Sequence, residues 1–481
     1  MEKFVSYVDG AFVSAAGEGQ EVRSPSEFED ILGTWHAADA ELAARAVASA
    51  HAAFPGWNAL SMVERGDILY RASDALTAAA EDISRIASRE MGKPIGEMRA
   101  EVQRGVALLR YYGGEGTRAI GEVLPSANPE TLLFTLRRGV GPTLLITPWN
   151  FPVAIPIWKA APALVFGNAI VWKPAAGSLA TAAHLVEVLE RAGFPKGVLN
   201  LVLGRGSTVG RILTRHPLVR AVSFTGSREA GMDVAQGAIE IGARVQLEMG
   251  GKNPAIVLED ADVSVAALRI TSGALRSAGQ KCTATSRVIA VQGVADRLRE
   301  ALRAQFAEVY QGPALDERSF LGPVSSPEQQ EIVLGKIRQG IAEGARVLAG
   351  PDPRFGLPRG AYIAPTLLEQ SSPQGVLHSE EIFGPVVGLF VARDAEQAIE
   401  YANAVPYGLS ASLFTRDLDR ALYYMRHMEA GLIRVNEESA GVEFQAPFGG
   451  VKDSSYGPRE QGRAAIEFYT ETRTVTVRPS H

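Results

Sequence analysis

The single cysteine of the chain, Cys282, is the residue with the clearest capacity for covalent chemistry. It lies in the segment SAGQKCTATSR, residues 277–287, among small and polar residues rather than in an apolar run. A thiol is a strong nucleophile only as the thiolate, so its usual pKa of about 8.5 has to be lowered, and a loop of small polar residues favours this. The alternative is an inert buried cysteine, which is the commoner case. A lone cysteine excludes an internal disulfide and is typical of a reducing compartment.

Two glycine-containing segments have the composition of phosphate-binding loops. GRGSTVG, residues 204–210, lacks the usual G-x-G-x-x-G spacing and is weak evidence, because turns between strands and helices commonly contain glycine. FTGS, residues 224–227, ends a strand-like run, and Ser227 lies where it would cap the next helix. The free N–H groups at such a helix start bind pyrophosphate, so Gly226 and Ser227 are candidates for that contact. An ordinary capping serine is the alternative.

Length and composition limit the classes to which the chain belongs. A chain of 481 residues exceeds one hydrophobic core, and this predicts two or three domains. Hydrophobic residues at 46% and charged residues at 21% exclude a disordered chain. A net charge of −6 gives no general basic field, so we expect a small-molecule partner and neither nucleic acid nor membrane. We find no signal-peptide pattern and no apolar run near the ~18 residues of a membrane span, and we expect a cytoplasmic protein.

The pattern of the chain changes near residue 143. Before it, ELAARAVASAHAAF and residues 63–93 repeat apolar residues at helical spacing, with Gly92 as a C-cap, and ETLLFTLRRGVG alternates like an exposed strand. After it, short apolar runs alternate with helical patterns: TLLIT, AIVWK, VLNLVL, AVSFTG and RVQLE. This alternation predicts a parallel sheet covered on both faces, the architecture that binds dinucleotides. A second series, from PAIVLED to GLIRVN, predicts a second α/β domain.

Four segments together resemble the aldehyde dehydrogenase superfamily, and the resemblance covers essentially the whole chain. They are TPWNFP (147–152), LEMGGKNP (247–254), GQKCTATSR (279–287) and EEIFGPV (380–386). The resemblance implies an α/β fold with a Rossmann-type dinucleotide-binding domain, an α/β catalytic domain and a small β oligomerisation element. The dinucleotide-binding domain would comprise residues 1–117 and 140–250, and the catalytic domain residues 251–450. The oligomerisation element would comprise residues 118–139 and 451–481.

The resemblance also implies the catalytic residues and their roles. Cys282 attacks an aldehyde to form a thiohemiacetal, and hydride transfer to a nicotinamide leaves a thioester. Asn150 and the N–H of Cys282 stabilise the oxyanion, although Asn150 alone would also suit a structural turn before Pro152. Glu248 activates the water that cleaves the thioester, and its pKa is expected to be raised by partial desolvation. Glycines after Glu248 allow close approach of the ligands.

Cofactor contacts follow from the same motifs, and NAD or NADP is the implied cofactor. Lys173 resembles the lysine that reaches the adenosine ribose, and Glu381 and Phe383 resemble the residues that hold the nicotinamide ribose and ring. The remaining candidates are Thr147, Trp149, Ala176, Ser178, Gly226 and Ser227. Many NAD-specific members have a glutamate at the position of Ala176, where a carboxylate repels a 2′-phosphate, so its absence leaves NADP open. Ser178 either donates to that phosphate or caps its helix.

The tail of the chain resembles the branch that oxidises α-ketoglutaric semialdehyde (2,5-dioxopentanoate). Such a substrate carries a carboxylate, and Arg104 falls where relatives place a residue of the substrate funnel. Arginine binds carboxylates in bidentate fashion, although a solvent-facing Arg104 is an equal alternative from residue type. Further funnel candidates are Gln103, Phe151, Trp158 and Phe448, of which Trp158 and Phe448 also suit a plain core.

Several alternatives stay open at this point. The substrate is also compatible with succinic semialdehyde or an uncharged aliphatic or aromatic aldehyde, and a non-catalytic binding protein or acyl transfer to coenzyme A is disfavoured by the intact catalytic set. No metal is expected. A strand-pairing hairpin with the C-terminal tail predicts a homodimer or a homotetramer.

Overall fold

The computed structural model describes residues 1–15, 19–353 and 356–480. Elements before residue 250 are, in chain order, β1 (Glu2–Phe4), β2 (Ser6–Val8), β3 (Ala11–Val13), β4 (Gln20–Arg23), β5 (Ile31–Trp35), α1 (Ala40–Ala59), α2 (Met62–Ala78), α3 (Ala80–Met91), α4 (Ile95–Glu115), β6 (Val123–Leu124), β7 (Leu132–Gly139), β8 (Thr143–Thr147), α5 (Ala154–Val165), β9 (Ile170–Pro174), α6 (Leu179–Glu190), β10 (Leu199–Leu201), α7 (Arg211–Thr214), β11 (Ala221–Thr225), α8 (Arg228–Glu240) and β12 (Arg244–Glu248).

The remaining elements follow the same alternation and end in a long strand. They are β13 (Asn253–Val257), α9 (Val263–Leu275), β14 (Thr285–Val291), α10 (Ala295–Glu308), α11 (Pro327–Ala342), β15 (Arg346–Ala349), β16 (Thr366–Glu369), α12 (Val376–Ser379), β17 (Val386–Ala392), α13 (Ala395–Asn403), β18 (Tyr407–Gly408), β19 (Ser410–Phe414), α14 (Leu418–His427), β20 (Leu432–Val435), β21 (Val451–Lys452), β22 (Ser455–Tyr456), α15 (Ala465–Tyr469) and β23 (Thr470–Val477).

The first large sheet has the predicted parallel core. Its order is β22-β12-β11-β8-β9-β10-β2-β3, and the five strands from β12 to β10 are parallel. Apolar clusters on the two faces join it to α1 and α8 on one side and to α2, α4, α5 and α6 on the other. Because β9 and β10 continue to one side of β8 while β11 and β12 continue to the other, the strand order reverses beside β8. Open α/β sheets bind ligands outside the carboxyl ends of the strands at this point.

The second large sheet confirms the predicted second α/β series. Its order is β15-β16-β17-β14-β13-β19-β20, and only β15 is antiparallel to its neighbour. The central strands are continuous apolar runs because both faces are covered, chiefly by α9, α10, α11 and α13. The two α/β series predicted from sequence are therefore both present.

A small third sheet contains the predicted exposed strand. β7 pairs along its whole length with β23 and at one end with β6, giving the order β23-β7-β6. Residues 451–469, which were assigned to this element, lie elsewhere. β22 extends the first sheet beside β12, and α15 packs into the core of the first domain. The sequence assignment of 451–469 is corrected on this point, since a short strand and an apolar turn give no local sign of their partner.

The helix boundaries follow ordinary capping rules. Ser61 and Glu64 form a capping box at the start of α2, and Gly92 ends α3 with a φ of 85°, as predicted. The helical stretch 63–93 is two helices that meet at Ala79. Ser227 caps α8 by accepting a hydrogen bond from the N–H of Ala230, as predicted.

Candidate active site

The carboxyl edge of the first sheet faces the amino edge of the second across a cavity of about 240 Å³. Segments that follow β8, β11 and β12 supply one side, and segments that precede β14 and β17 supply the other. The lining residues are Pro148, Trp149, Asn150, Ile155, Thr225, Gly226, Ser227, Met249, Gly250, Cys282, Gln329, Glu381 and Phe383. The cavity therefore lies at the strand-order reversal beside β8, where a dinucleotide fold binds its ligand.

Cys282 lies in the loop that leads into β14 and is partly exposed to this cavity. Burial, with the nearby carboxylates of Glu381 and Glu248, raises the pKa of the Cys282 thiol far above its usual range. Only the backbone N–H of the same residue acts in the opposite direction among the main causes. The prediction that the loop lowers this pKa is therefore wrong, because small polar neighbours do not offset desolvation and two negative charges. A base has to remove the thiol proton.

Asn150 follows β8 and lies within the same cavity as Cys282. Its side chain is buried, and Nδ2 donates to the carbonyl of Gln280 at 2.8 Å, two residues before the cysteine. A primary amide carries two N–H donors, so the second stays available to the cavity. The Oδ1 atom has no hydrogen-bond partner. The amide is thus tied to the nucleophile loop by one hydrogen bond and has one donor left for a ligand.

Glu248 is the last residue of β12 and is almost completely buried. Its Oε2 accepts a hydrogen bond from Ser455 Oγ at 2.5 Å, across the β12–β22 pair. Burial and the charge of Glu460 raise the pKa of Glu248 well above its usual range, although the Ser455 hydroxyl and the cation of Lys159 act against this. The expected elevation is confirmed. A raised pKa makes a carboxylate a stronger proton acceptor than an ordinary solvated glutamate, as suits a general base.

A buried ionic cluster lies behind Glu248. Lys159 Nζ pairs with Glu460 and donates to Ser223 Oγ, and Trp158 Nε1 donates to the other oxygen of Glu460 at 2.8 Å. Sequence reasoning missed Lys159, Glu460 and Ser455. Lys159 left a detectable signal, since it is the only charged residue of the otherwise apolar helix α5. Nothing local marked Glu460 or Ser455.

The residues predicted to hold the nicotinamide end of a cofactor come together at the cavity. Trp149 and Phe383 contact edge to face, with ring centroids 5.5 Å apart. Glu381 accepts a hydrogen bond from the N–H of Gly251 at 3.0 Å, and burial raises its pKa to about 7. Gly226 and Ser227 line the cavity at the N-terminus of α8. A Cβ on Gly250 would lie 2.4 Å from the Glu381 carboxylate, so a larger residue there would displace that carboxylate.

The residues predicted for the adenosine end lie outside this cavity. Lys173 is buried, its ammonium donates to the carbonyl of Pro174, and desolvation lowers its pKa to about 8. Thr147, another cofactor candidate, is buried in the sheet and accepts a hydrogen bond from the indole of Trp172. Ala176 lines a second cleft of about 780 Å³, which also reaches Trp149.

Ser178 does not cap α6 with its side chain. Its hydroxyl donates to the carbonyl of Ala175, and the free N–H groups of Ala180 and Thr181 are bound instead by the buried carboxylate of Glu90. The expectation of a serine cap is corrected, because a carboxylate from α3 satisfies two helix donors that one hydroxyl would have to share.

The predicted substrate residues fall into two groups. Arg104 is half-buried, its Nε atom has no hydrogen-bond partner, and one terminal nitrogen donates to Gln461 at 3.3 Å, so it does not lie on the solvent face. Phe151 lies under the ammonium of Lys93, and Gln103 is exposed. Trp158 and Phe448 are buried and contact each other, with ring centroids 5.4 Å apart. These two aromatics pack as core residues, which is the alternative interpretation.

The described residues include neither a metal-binding cluster nor a membrane-spanning helix. Among residues 1–15, 19–353 and 356–480, no three His, Cys, Asp or Glu side chains are grouped so as to bind a metal ion. In the same part of the chain no helix has the length and apolar character needed to cross a membrane.

Fold and site together define an oxidoreductase with a nucleophilic cysteine beside the carboxyl ends of a dinucleotide-type sheet. Residues 12–475 match the aldehyde dehydrogenase family, and the chain belongs to that family. It is 45% identical to the α-ketoglutaric semialdehyde dehydrogenase of Bacillus subtilis (strain 168), over 99% of this chain and 98% of that protein. It is 37% identical to the 2,5-dioxopentanoate dehydrogenase of Saccharolobus solfataricus, over 96% of this chain and 97% of that protein. The crystal structure of an NAD-dependent aldehyde dehydrogenase from Sinorhizobium meliloti matches with a TM-score of 0.96 at 35% identity, over 100% of this chain and 96% of that one.

Proposed function

We propose that this aldehyde dehydrogenase oxidises α-ketoglutaric semialdehyde to 2-oxoglutarate with NAD or NADP. The observation that carries the proposal is the joint placement of Cys282, Asn150 and Glu381 around one cavity, with the raised pKa of Glu248 beside it. The similarity to α-ketoglutaric semialdehyde and 2,5-dioxopentanoate dehydrogenases over nearly the whole chain supports the choice of substrate.

Each step of the proposed reaction uses a residue of this chain. Glu248 takes the proton of the Cys282 thiol, and Sγ bonds to the aldehyde carbon while the carbonyl electrons move to oxygen. The free N–H of Asn150 and the backbone N–H of Cys282 donate to that oxyanion. Glu248 then releases the thiol proton to solvent. After the carbon has been oxidised to a thioester, the carboxylate of Glu248 takes a proton from water, the hydroxide bonds to the carbonyl carbon, and Sγ leaves as the thiolate. The product is the carboxylic acid.

The residues around the cavity suit a nicotinamide dinucleotide. Glu381 has unused acceptor capacity for ribose hydroxyls, and Trp149 and Phe383 offer aromatic surfaces. The free N–H groups of α8 near Gly226 and Ser227 would bind the pyrophosphate, and Lys173 would bind the adenosine ribose. Bound there, the nicotinamide ring supplies the hydride acceptor. Ala176 brings no carboxylate to repel a 2′-phosphate, so both coenzymes are proposed.

Arg104 is the proposed anchor for the substrate carboxylate. Burial lowers its pKa, and the charges of Glu443 and Glu101 act against this. A half-buried guanidinium with a single long hydrogen bond is incompletely satisfied, which is costly unless a ligand completes it. Carboxylates bind such a group in bidentate fashion, and analogues without one leave it unpaired. Phe151 stays a prediction for the funnel, whereas Trp158 and Phe448 pack in the core.

The test is kcat/KM for α-ketoglutaric semialdehyde, succinic semialdehyde and hexanal, with NAD and with NADP. We expect the two acidic aldehydes to be preferred and Arg104→Ala to lower their kcat/KM about 10- to 100-fold, with little change for hexanal. Arg110→Ala is the matched control, because Arg110 lies on the same helix but is exposed and paired with Asp74. If hexanal is as good a substrate as the acids, the semialdehyde proposal fails and the family chemistry remains.

We also propose that the protein is cytoplasmic and self-associates as a dimer or tetramer through the third sheet. β23 pairs with β7 on one side, and among the described residues its other edge has no strand partner. Large apolar side chains on this sheet are exposed, including Val123, Leu132 and Leu136. An open strand edge is a ready template for pairing with another chain, and exposed apolar surface beside it favours such a contact.

A further inference from the structure

A buried ion pair between Lys93, in the connection from α3 to α4, and Glu101, on α4, holds the turn that carries Asn150. Lys93 Nζ lies 2.5 Å from Glu101 Oε2 and donates to the backbone carbonyl of Asn150 at 2.6 Å. The other oxygen of Glu101 accepts from the N–H groups of Val153 and Ala154 at 2.9 and 3.1 Å. Both charged side chains are almost completely buried. The turn 150–154 is thus fixed at its start by Lys93 and at its end by Glu101.

The same helix holds the loop that carries Cys282. Glu97, one turn before Glu101, accepts from the N–H and the hydroxyl of Ser277, both at 2.9 Å. Ser277 and Ala278 have φ angles of 55° and 53°, which L-residues adopt at a cost, so the loop needs outside contacts to keep this shape. Its Lys281 also lies 3.9 Å from Glu97.

Glu97 and Glu101 are separated by one helical turn, or about 6 Å along a rigid axis. We propose that α4 sets the position of the Asn150 amide relative to Cys282, with Glu101, held by Lys93, as the positioning residue for Asn150. Neither Glu101 nor Lys93 lines the cavity, so both act through the backbone of the 150–154 turn. This inference rests on the proposed function, in which Asn150 donates to the oxyanion.

Loss of this positioning should change the geometry of the oxyanion contact rather than the affinity for the cofactor. An oxyanion donor is effective only when it is held at the position where negative charge develops, and its removal costs on the order of 10²- to 10³-fold in rate. A displacement of about 1 Å at a reacting centre costs up to about 10²-fold. Glu101→Gln keeps a side-chain oxygen that can accept from the N–H groups of Val153 and Ala154. It removes the ion pair that holds the Lys93 ammonium at the backbone carbonyl of Asn150.

The experiment is a double-mutant cycle on the single-turnover rate of NADH formation, with enzyme in excess over α-ketoglutaric semialdehyde and, separately, hexanal. We expect Asn150→Ala to slow this rate at least 100-fold and Glu101→Gln to slow it about 10-fold in the wild-type background. In the Asn150→Ala background Glu101→Gln should change it less than about 2-fold, because residues that act as a unit are not additive. Affinity for NAD should stay unchanged in each variant.

Glu115→Gln is the matched control, since Glu115 is a buried carboxylate on the same helix that pairs with Arg118 away from the cavity. The proposal is overturned if Glu101→Gln has no effect in the wild-type background, if it slows both backgrounds equally, or if Glu115→Gln slows the reaction as much. Should Glu101→Gln fold poorly, Glu101→Asp, which keeps the charge and withdraws it by one methylene, is subject to the same criteria. If Asn150→Ala itself does not slow the reaction, the proposed function of Asn150 fails first.

Discussion

At the scale of single residues, the acid–base chemistry of the proposed reaction depends on two desolvated groups, Cys282 and Glu248. Cys282 and Glu248 both have raised pKa values because each is buried and each is close to other carboxylates. A neutral thiol is a weak nucleophile, so its activation requires a base that is itself able to hold the proton near neutral pH. The raised pKa of Glu248 makes it suitable both for the thiol and for the later water.

We expect Glu248→Gln to lower steady-state kcat by about 10²- to 10⁴-fold, the usual contribution of a general base. Because the carboxylate must be deprotonated to act, kcat of the wild type should rise with pH through the raised pKa of Glu248. The Ser455 hydroxyl donates to the charged form and lowers that pKa, so Ser455→Ala should move the rise to higher pH. The measurement is kcat against pH for the three proteins.

Two results would contradict the role of Glu248 as general base. If Glu248→Gln retains wild-type kcat at any pH, another group activates the water. If Ser455→Ala moves the rise to lower pH, the group that titrates is not Glu248.

At the scale of elements, the junction between α3 and α4 delivers Lys93 to the turn of Asn150. Gly92 ends α3 in the left-handed region, and a Cβ there would lie 2.8 Å from Pro323 and 3.0 Å from Pro25. The two proline rings cannot rotate away. Gly92→Ala should therefore lower the free energy of unfolding by about 2 kcal/mol or more, from strained backbone and steric overlap.

Gly56→Ala provides the comparison for this prediction. Gly56 lies inside α1, and a Cβ there would meet no atom within 4 Å, so alanine should stabilise by roughly 0.5–1 kcal/mol. Urea unfolding of both variants checks the pair. Equal effects of the two substitutions would show that the left-handed turn at Gly92 is not required.

At the scale of the whole molecule, the carboxyl ends of the first sheet face the amino ends of the second at the active site. The third sheet lies apart from both and has exposed apolar side chains. Leu132 and Leu136 lie on one face of β7, and each is 51% exposed. We expect Leu132→Glu with Leu136→Glu to reduce the mass measured by sedimentation velocity at micromolar concentration, because charge on a buried contact face opposes association.

The control for association is Leu418→Glu, on α14, where the leucine is 71% exposed and far from the third sheet in the chain. This variant should sediment as the wild type does. A wild type that is already monomeric, or a β7 variant with unchanged mass, would contradict the proposed assembly.

The sequence by itself determined the family, the two α/β series and most strand and helix positions, because apolar periodicity and capping are local properties. The runs TLLIT, AVSFTG and GLIRVN contain strands β8, β11 and β20, and Gly92 and Ser227 end and begin helices as predicted. Short motifs also identified Cys282, Glu248 and Asn150 as candidates, because the motif itself holds the reactive side chain.

Only the tertiary structure decided which distant groups meet and what their charges do. Ser455 reaches Glu248 across 207 residues, Glu97 reaches Ser277 across 180, and Glu90 caps α6 from α3. The Cys282 pKa was predicted in the wrong direction, because the desolvation and the carboxylates of Glu248 and Glu381 come from segments distant in the chain. Periodicity records how a segment faces its core, but the dielectric and the partners of a buried group are set by chain segments far away in sequence.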